Sequence, residues 1–357
     1  MNDQEPNNTE EPQTDTPAPL RLSRRRLLRM LAAVGGAVAA DMTIPAKWLP
    51  PVLRIGVLPV GAVSGDPFPF VWVEQFSGTG STLKGVWGVD AKNVWAVGNG
   101  GTIIKWDGAT WVQPFSGTTD NLNGVWGVDN KNVWAVGGAA TSATIVKWDG
   151  ATWTRQTSVT SYYLSSVWGS DVNNVWAIGY NGTIIKWDGA TWAQQTSGTT
   201  NYLRSIWGVD ANNIWAVGDS GTICKWNGNT WAIQSGVGTT QMNGIWGTDA
   251  NNVWAVGISG TIVKWNGSTW TQQTSGTTNN LHGIWGTDTN NIWAVGYNAT
   301  IRKWDGSTWA NESNGMPRSF NAIWGTDVKT IWVVGEGGMI LIKSEPVTIP
   351  RPTQVNT

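Results

Sequence analysis

Aspartate recurs in the setting WGxD at Asp90, Asp129, Asp171, Asp210, Asp249, Asp288 and Asp327, and in six of the seven copies asparagine follows three residues later, Thr330 breaking the series. Evenly placed carboxylates suggest calcium, but a calcium loop gathers several oxygens from one short segment. Asp and Asn at this spacing hydrogen-bond their own backbone and form turns, so no metal site is expected. The only histidine, His282, fills the x of LxG, where the other copies carry Lys84, Asn123, Ser165, Arg204, Asn243 and Asn321. The only cysteine, Cys224, fills the x of TIxKW, usually Ile or Val, and reads as a small buried apolar residue. The two sit in different strand types of different repeats, and no nucleophile–base or acid–base pair can be assembled around either. No catalytic residue and no cofactor is expected. A hydrolase or lyase reading lacks a polar pocket to stand on.

The other chemistry on offer is aromatic. The 28 tryptophans could stack on sugar rings. All but Trp48 recur at fixed places, however, and a residue repeated at one strand position is what packing between sheets requires. Tryptophan is large, and its N–H can be met by a neighbouring backbone carbonyl.

The elements that hold these residues form a repeat. A first tryptophan falls at Trp87, Trp126, Trp168, Trp207, Trp246, Trp285 and Trp324, and a second at Trp95, Trp134, Trp176, Trp215, Trp254, Trp293 and Trp332. The steps are 39 residues, with a single 42. Each unit reads as four short strands: A, LxG(V/I)WG; B, (V/I)WAVG; C, TIxKW; D, around xTWxxQ. The DxxN turn joins A to B, a Gly-rich turn joins B to C, and an Asp-Gly or Asn-Gly pair (Asp107-Gly108, Asn227-Gly228) is expected to make a two-residue hairpin between C and D. Val, Ile, Trp and Thr suit a pleated, half-buried surface. No apolar spacing of three or four persists, which disfavours a helical solenoid. The pattern predicts an all-β, seven-bladed propeller of four-stranded blades over residues 70–344. The last unit lacks its Thr-Trp strand, while PFVWVEQFSG around Trp72 matches ATWVQPFSG around Trp111. An N-terminal strand D therefore closes the ring and removes the sheet edges an open array would leave exposed.

The run WAVGxxGTIxKWDGxTW resembles bacterial secreted Trp-rich repeat propellers and photosystem II assembly factor-like propellers. WDG also resembles the WD dipeptide of WD40 blades, without their Gly-His. It is similar to the Asp-box hairpin of sialidase-type propellers, which has one more residue between Asp and Gly. The resemblance covers about residues 70–344 and implies binding or assembly roles rather than catalysis.

Residues 1–19 are acidic and polar without lysine or arginine, and read as disordered. Ser23-Arg24-Arg25-Arg26-Leu27-Leu28-Arg29 then precedes MLAAVGGAVAA, which looks like a twin-arginine export signal carried by Arg24 and Arg25, with cleavage after Ala39 or Ala62. The apolar segment is too short and Ala/Gly-rich for a stable membrane span. With one cysteine no internal disulfide forms, which suits folding in a reducing cytoplasm before export to the periplasm or beyond. Residues 1–62 thus form the leader, and 345–357 a Pro- and Thr-rich disordered tail. Charged residues make up 13% and the net charge is −1, which leaves no basic face for nucleic acid. A monomer is expected.

In such a ring the A–B and C–D turns share one face and the D–A and B–C connections the other. The A–B and C–D turns are near-copies; the other connections vary. All five tyrosines lie in the variable set: Tyr162, Tyr163 and Tyr202 in D–A loops, Tyr180 and Tyr297 in B–C turns. Asp120, Asp219, Arg318, Glu336 and an insertion around Ala139–Ala143 are there too, with Arg204 just inside strand A. Tyrosine suits recognition because it is amphipathic and costs little entropy to order, and function concentrates on loops held by a scaffold. Tyr162, Tyr163, Tyr180, Tyr202, Arg204, Asp219 and Tyr297 are the candidate ligand-binding residues, the first four expected to cluster at blades 3 and 4. The leading expectation is a non-catalytic module for glycan or cell-envelope polysaccharide, its repeated sites on the outer-strand tryptophans or in grooves between blades. The alternative is an extracytoplasmic protein-interaction or assembly scaffold using the variable face.

Overall fold

The structure, a computed structural model, describes residues 71–139, 141–234, 238–312 and 318–344. The twin-arginine pair Arg24–Arg25, both cleavage points and the 345–357 tail lie outside these residues.

Seven four-stranded antiparallel sheets follow one another along the chain. Blade 3 is Leu164–Asp171, Asn174–Gly179, Ile184–Trp187 and Trp192–Gln195; blade 4 is Leu203–Asp210, Asn213–Gly218, Ile223–Trp226 and Trp231–Ile233. In blade 7 the fourth strand is Val71–Gln75, paired with the last strand from Val71↔Ser344 to Gln75↔Ile340. The ring is closed by its N-terminal strand. That register puts the start of Val71–Gln75 and the end of the last strand on the A–B/C–D face, opposite the variable loops.

Packing between blades explains the repeated tryptophans. Those of strand B are 0–1% exposed. Trp95 of blade 1 enters the core of blade 2, where Trp148 and Trp153 meet it at 5.0 and 5.2 Å in edge-to-face geometry. Lys105 closes the seam, with Nζ 4.9 Å from the Trp95 ring centre. The same lysine–tryptophan contact recurs at Lys147, Lys186, Lys225, Lys264 and Lys303. Burying 150–250 Å² per ring contributes roughly 4–6 kcal/mol before ordering costs. The strand A tryptophans form an inner ring, each lying over the glycine of the next blade's WG. A Cβ on Gly208 would stand 2.6 Å from Trp168, so the WG dipeptide is a packing unit whose two residues serve different seams.

Two local expectations are corrected. Among the described residues the tryptophan N–H finds a backbone carbonyl only in strand C, where Trp148, Trp226, Trp265 and Trp304 donate to residues 130, 211, 250 and 289 at 3.0–3.2 Å. For strand B, the Nε1 atoms of Trp95, Trp134, Trp176, Trp215 and Trp332 have no hydrogen-bond partner among the described residues; aromatic edges and a lysine surround the ring instead. The C–D connection is not a two-residue hairpin. Trp187 pairs with Trp192, leaving four residues between them, and only Gly189 is left-handed, at φ 102°. Asp188 Oδ1 accepts from the N–H groups of Ala190 and Thr191 at 2.8 Å, so a side-chain cap replaces the second positive φ.

The closing seam has its own fastening. Glu312 stands where Gln156, Gln195, Gln234 and Gln273 stand in other blades. Its carboxylate accepts from Lys343 Nζ at 3.0–3.1 Å and from Trp293 Nε1 at 3.0 Å. Burial lowers the Lys343 pKa, an effect that Glu312 opposes.

Candidate recognition face

The variable face is pre-organised by backbone bonds. In five D–A loops a serine hydroxyl caps the turn, as Ser158 and Ser197 do toward the carbonyls of Thr160 and Thr199 at 3.0–3.1 Å. The B–C turn of a blade is tied to the residue just before that blade's strand A. Tyr180 N–H donates to Tyr163 O at 3.1 Å, and Asp219 N–H to Tyr202 O at 2.9 Å. These bonds bring residues seventeen apart in sequence side by side.

The side chains continue the arrangement as one run. Tyr162 meets Tyr180 at 5.9 Å between ring centres, Tyr180 stacks on Tyr163 at 5.4 Å, and Tyr163 meets Tyr202 edge-on at 5.4 Å. The Arg204 guanidinium lies 4.5 Å over the Tyr202 ring, and its Nε donates to Asp219 Oδ1 at 2.5 Å. Tyr162 and Tyr180 are 37% and 46% exposed, while Tyr163 and Tyr202 are half-buried beneath them. Burial pushes the Tyr202 phenol up to about 12, with Tyr163 adding and Arg204 opposing. Six of the seven candidate residues are thus one cluster. Tyr297 is apart from them, on blade 6, edge-on to His282 at 4.4 Å.

His282 and Arg204 belong to a tier that repeat comparison alone did not explain. In every blade the register of strand A slips around the x of LxG, as between Leu203 and Ser205. A bulge of this kind re-aims the extra side chain. It points to the next blade: Asn123 Nδ2 donates to Leu164 O at 2.7 Å, Ser165 Oγ to Leu203 O at 2.6 Å and Asn321 Nδ2 to Leu83 O at 2.7 Å, while His282 Nδ1 lies 3.1 Å from Phe320 O. Burial lowers the His282 pKa, opposed by that carbonyl. Arg204 departs from the pattern and turns to Asp219. Cys224 is fully buried, and burial pushes its thiol up to about 11, which makes it a poor nucleophile. The WGxD aspartates make the expected turns; Asp210 Oδ1 accepts from Asn212 and Asn213 N–H at 2.7 and 2.9 Å.

The tryptophan platform for sugars is corrected by burial. The outer-strand residues Trp72, Trp153, Trp192, Trp231, Trp270 and Trp309 are 4–8% exposed, because rings from neighbouring strands and blades cover them; Trp111 is half-buried. Shallow grooves of about 730 and 690 Å³ lie beside the D–A loops that leave blades 3 and 5. Their linings include the identical runs Gln194–Asn201 and Gln272–Asn279, all amide, hydroxyl and glycine. Sequence reading also passed over Phe76 and Phe115, which are 89% and 88% exposed at matching places in successive blades. Only their departure from the Thr found at these places in blades 2, 3 and 5 could have marked them.

No family model and no curated protein matches the sequence. Solved structures do match in shape. YCF48 bound to D1 peptide aligns with TM-score 0.66 at 17% identity, over 79% of this chain and 98% of that one. YCF48 from Cyanidioschyzon merolae gives 0.64 at 16% identity, covering 76% and 98%. The WD40 β-propeller domain of Doa1 gives 0.65 at 18% identity, covering 77% and 97%. The chain has the seven-bladed propeller fold. Among the described residues no helix is long and apolar enough to cross a membrane.

Proposed function

We propose that this chain is an exported, monomeric recognition propeller that holds a protein segment across the tyrosine terrace of blades 3 and 4. The observation that carries this reading is the unbroken run Tyr162–Tyr180–Tyr163–Tyr202–Arg204–Asp219, found in one place among the described residues. One partner docked on one sector is the stoichiometry such an uneven face suits. Tyrosine and arginine are the residues that dominate protein interfaces, and a similar fold, YCF48, has been solved with a peptide bound. The test is selection of a random peptide display library on the purified protein. The expected result is enrichment that disappears when Tyr162, Tyr163 and Tyr202 are changed to Ser while the far-UV spectrum stays native. Enrichment indifferent to those changes sinks the terrace.

Glycan binding is the second reading, favoured by the twin grooves with their uncharged amide and hydroxyl linings. It predicts two or more sugar sites per chain, since weak repeated sites gain from multivalency. A glycan array followed by titration measures this; a blank with folded protein removes the reading. Export rests on Arg24 and Arg25. Changing both to Lys in a reporter fusion should leave the protein in the cytoplasm, and unaltered export would discard the twin-arginine route.

A further inference from the structure

We infer that the terrace takes a proline-rich segment in the polyproline II conformation; this rests on the proposed docking role of the same residues. The argument begins from what the terrace lacks. Its side chains come from two D–A loops, two B–C turns and the strand A bulge, whereas the sheet edges of these blades are strands A and D. No backbone ladder is offered at the terrace, so a ligand cannot dock there by adding a strand. An α-helix spends most of its carbonyls within itself and leaves only those of its last turn for the tyrosine hydroxyls.

A polyproline II segment fits both the spacing and the polarity. It makes no internal hydrogen bonds, leaves every carbonyl free as an acceptor, and rises about 3.1 Å per residue. Alternate residues are therefore about 6 Å apart, against 5.9 Å between the two exposed rings, Tyr162 and Tyr180. Prolyl rings lie flat on aromatic faces, and the segment is already ordered before it binds. Tyr162 and Tyr180, the exposed pair, carry phenolic O–H donors of the kind such a backbone requires. The ion pair of Arg204 with Asp219 closes one end without net charge, which suits an uncharged ligand.

The test is fluorescence anisotropy of labelled decaproline against the full chain, with a (Gly-Ser)5 peptide as control. Saturable binding of decaproline alone is expected. Y162S/Y180S should weaken it at least tenfold, and Y297S on blade 6 should leave it unchanged. Y162F/Y180F keeps the ring faces but removes two donors, and should cost several-fold; this variant decides the matter if the serine variant folds poorly. Decaproline binding no better than the control, or equally well to the terrace variants, overturns the inference. If display-selected peptides without proline still depend on the terrace, the polyproline class falls while the docking reading stands. If maltohexaose or chitohexaose binds in a Tyr162- and Tyr180-dependent way and decaproline does not, the ligand is a sugar and the inference is overturned.

Discussion

Blade 4 presents two faces built by the same short strands, and they use their polar residues in opposite ways. On the A–B side, Asp210 directs its carboxylate at Asn212 and Asn213, entirely within its own turn. On the D–A side, Asp219 directs its carboxylate at Arg204, which packs on Tyr202, which meets Tyr163 of the preceding blade. The first arrangement is local and recurs around the ring. The second links two blades and, among the described residues, occurs at one sector. A side chain that satisfies its own backbone stabilises the fold; one that leaves its turn to build a surface is available for recognition.

Breaking the scaffold common to both faces should have the largest effect. Trp215→Ala empties a fully buried site between blades 4 and 5 and should cost about 3–5 kcal/mol in urea unfolding, with binding lost only as the protein unfolds. Alkaline titration comes next. The folded Tyr202 phenol is raised to about 12 against about 10 when unfolded. The folded state thus keeps a proton that the unfolded state loses. Its contribution is full below pH 10 and vanishes as pH rises through 12. Tyr202→Phe should remove on the order of 2 kcal/mol of the stability lost over that window; an identical alkaline profile would show that the hydroxyl is not held protonated.

The faces themselves separate in a smaller pair of changes. Asp210→Ala should lower stability by about 1 kcal/mol through the lost turn bonds and leave decaproline binding alone. Y162S/Y180S should do the reverse, with stability within about 0.5 kcal/mol of wild type because both rings are exposed. If Asp210→Ala weakens binding, the division between faces fails. The smallest effect is expected at Ala299, which holds φ 52° where the corresponding residue of five other B–C turns is glycine. Ala299→Gly should raise stability by up to about 1 kcal/mol, read as a higher melting temperature, by relieving a left-handed alanine.

The repeated elements were legible because each repeat is a copy that can be read against six others. The strand assignments, the Asp–Asn turns and closure by the strand around Trp72 follow from alternation, turn chemistry and the unpaired ends. The sequence also marked Tyr162, Tyr163, Tyr180 and Tyr202 as variable-face residues. It placed those four around blades 3 and 4, since the repeat count assigns each loop to a blade, and carried Tyr297 only as a further residue of the same face. It misread the outer-strand tryptophans. Position on an edge strand suggests exposure, but Trp153 is covered by Trp95 from the preceding blade, a contact no within-repeat pattern records.

What the sequence by itself determined is the seven-fold architecture and the face on which copies differ, since period, strand chemistry and turn residues are local properties written once per repeat. Tertiary structure decided how the variable residues gathered at blades 3 and 4 touch one another. Tyr163 and Tyr180 meet because a B–C turn is tied to the loop entering its own blade, and Tyr202 joins them because the ring sets blade 4 beside blade 3. It also decided that Arg204, at a bulge whose counterparts bond to the next blade, turns to Asp219 instead. Distances between blades depend on how tryptophan, lysine and glycine pack across every seam, and that is a property of the closed ring.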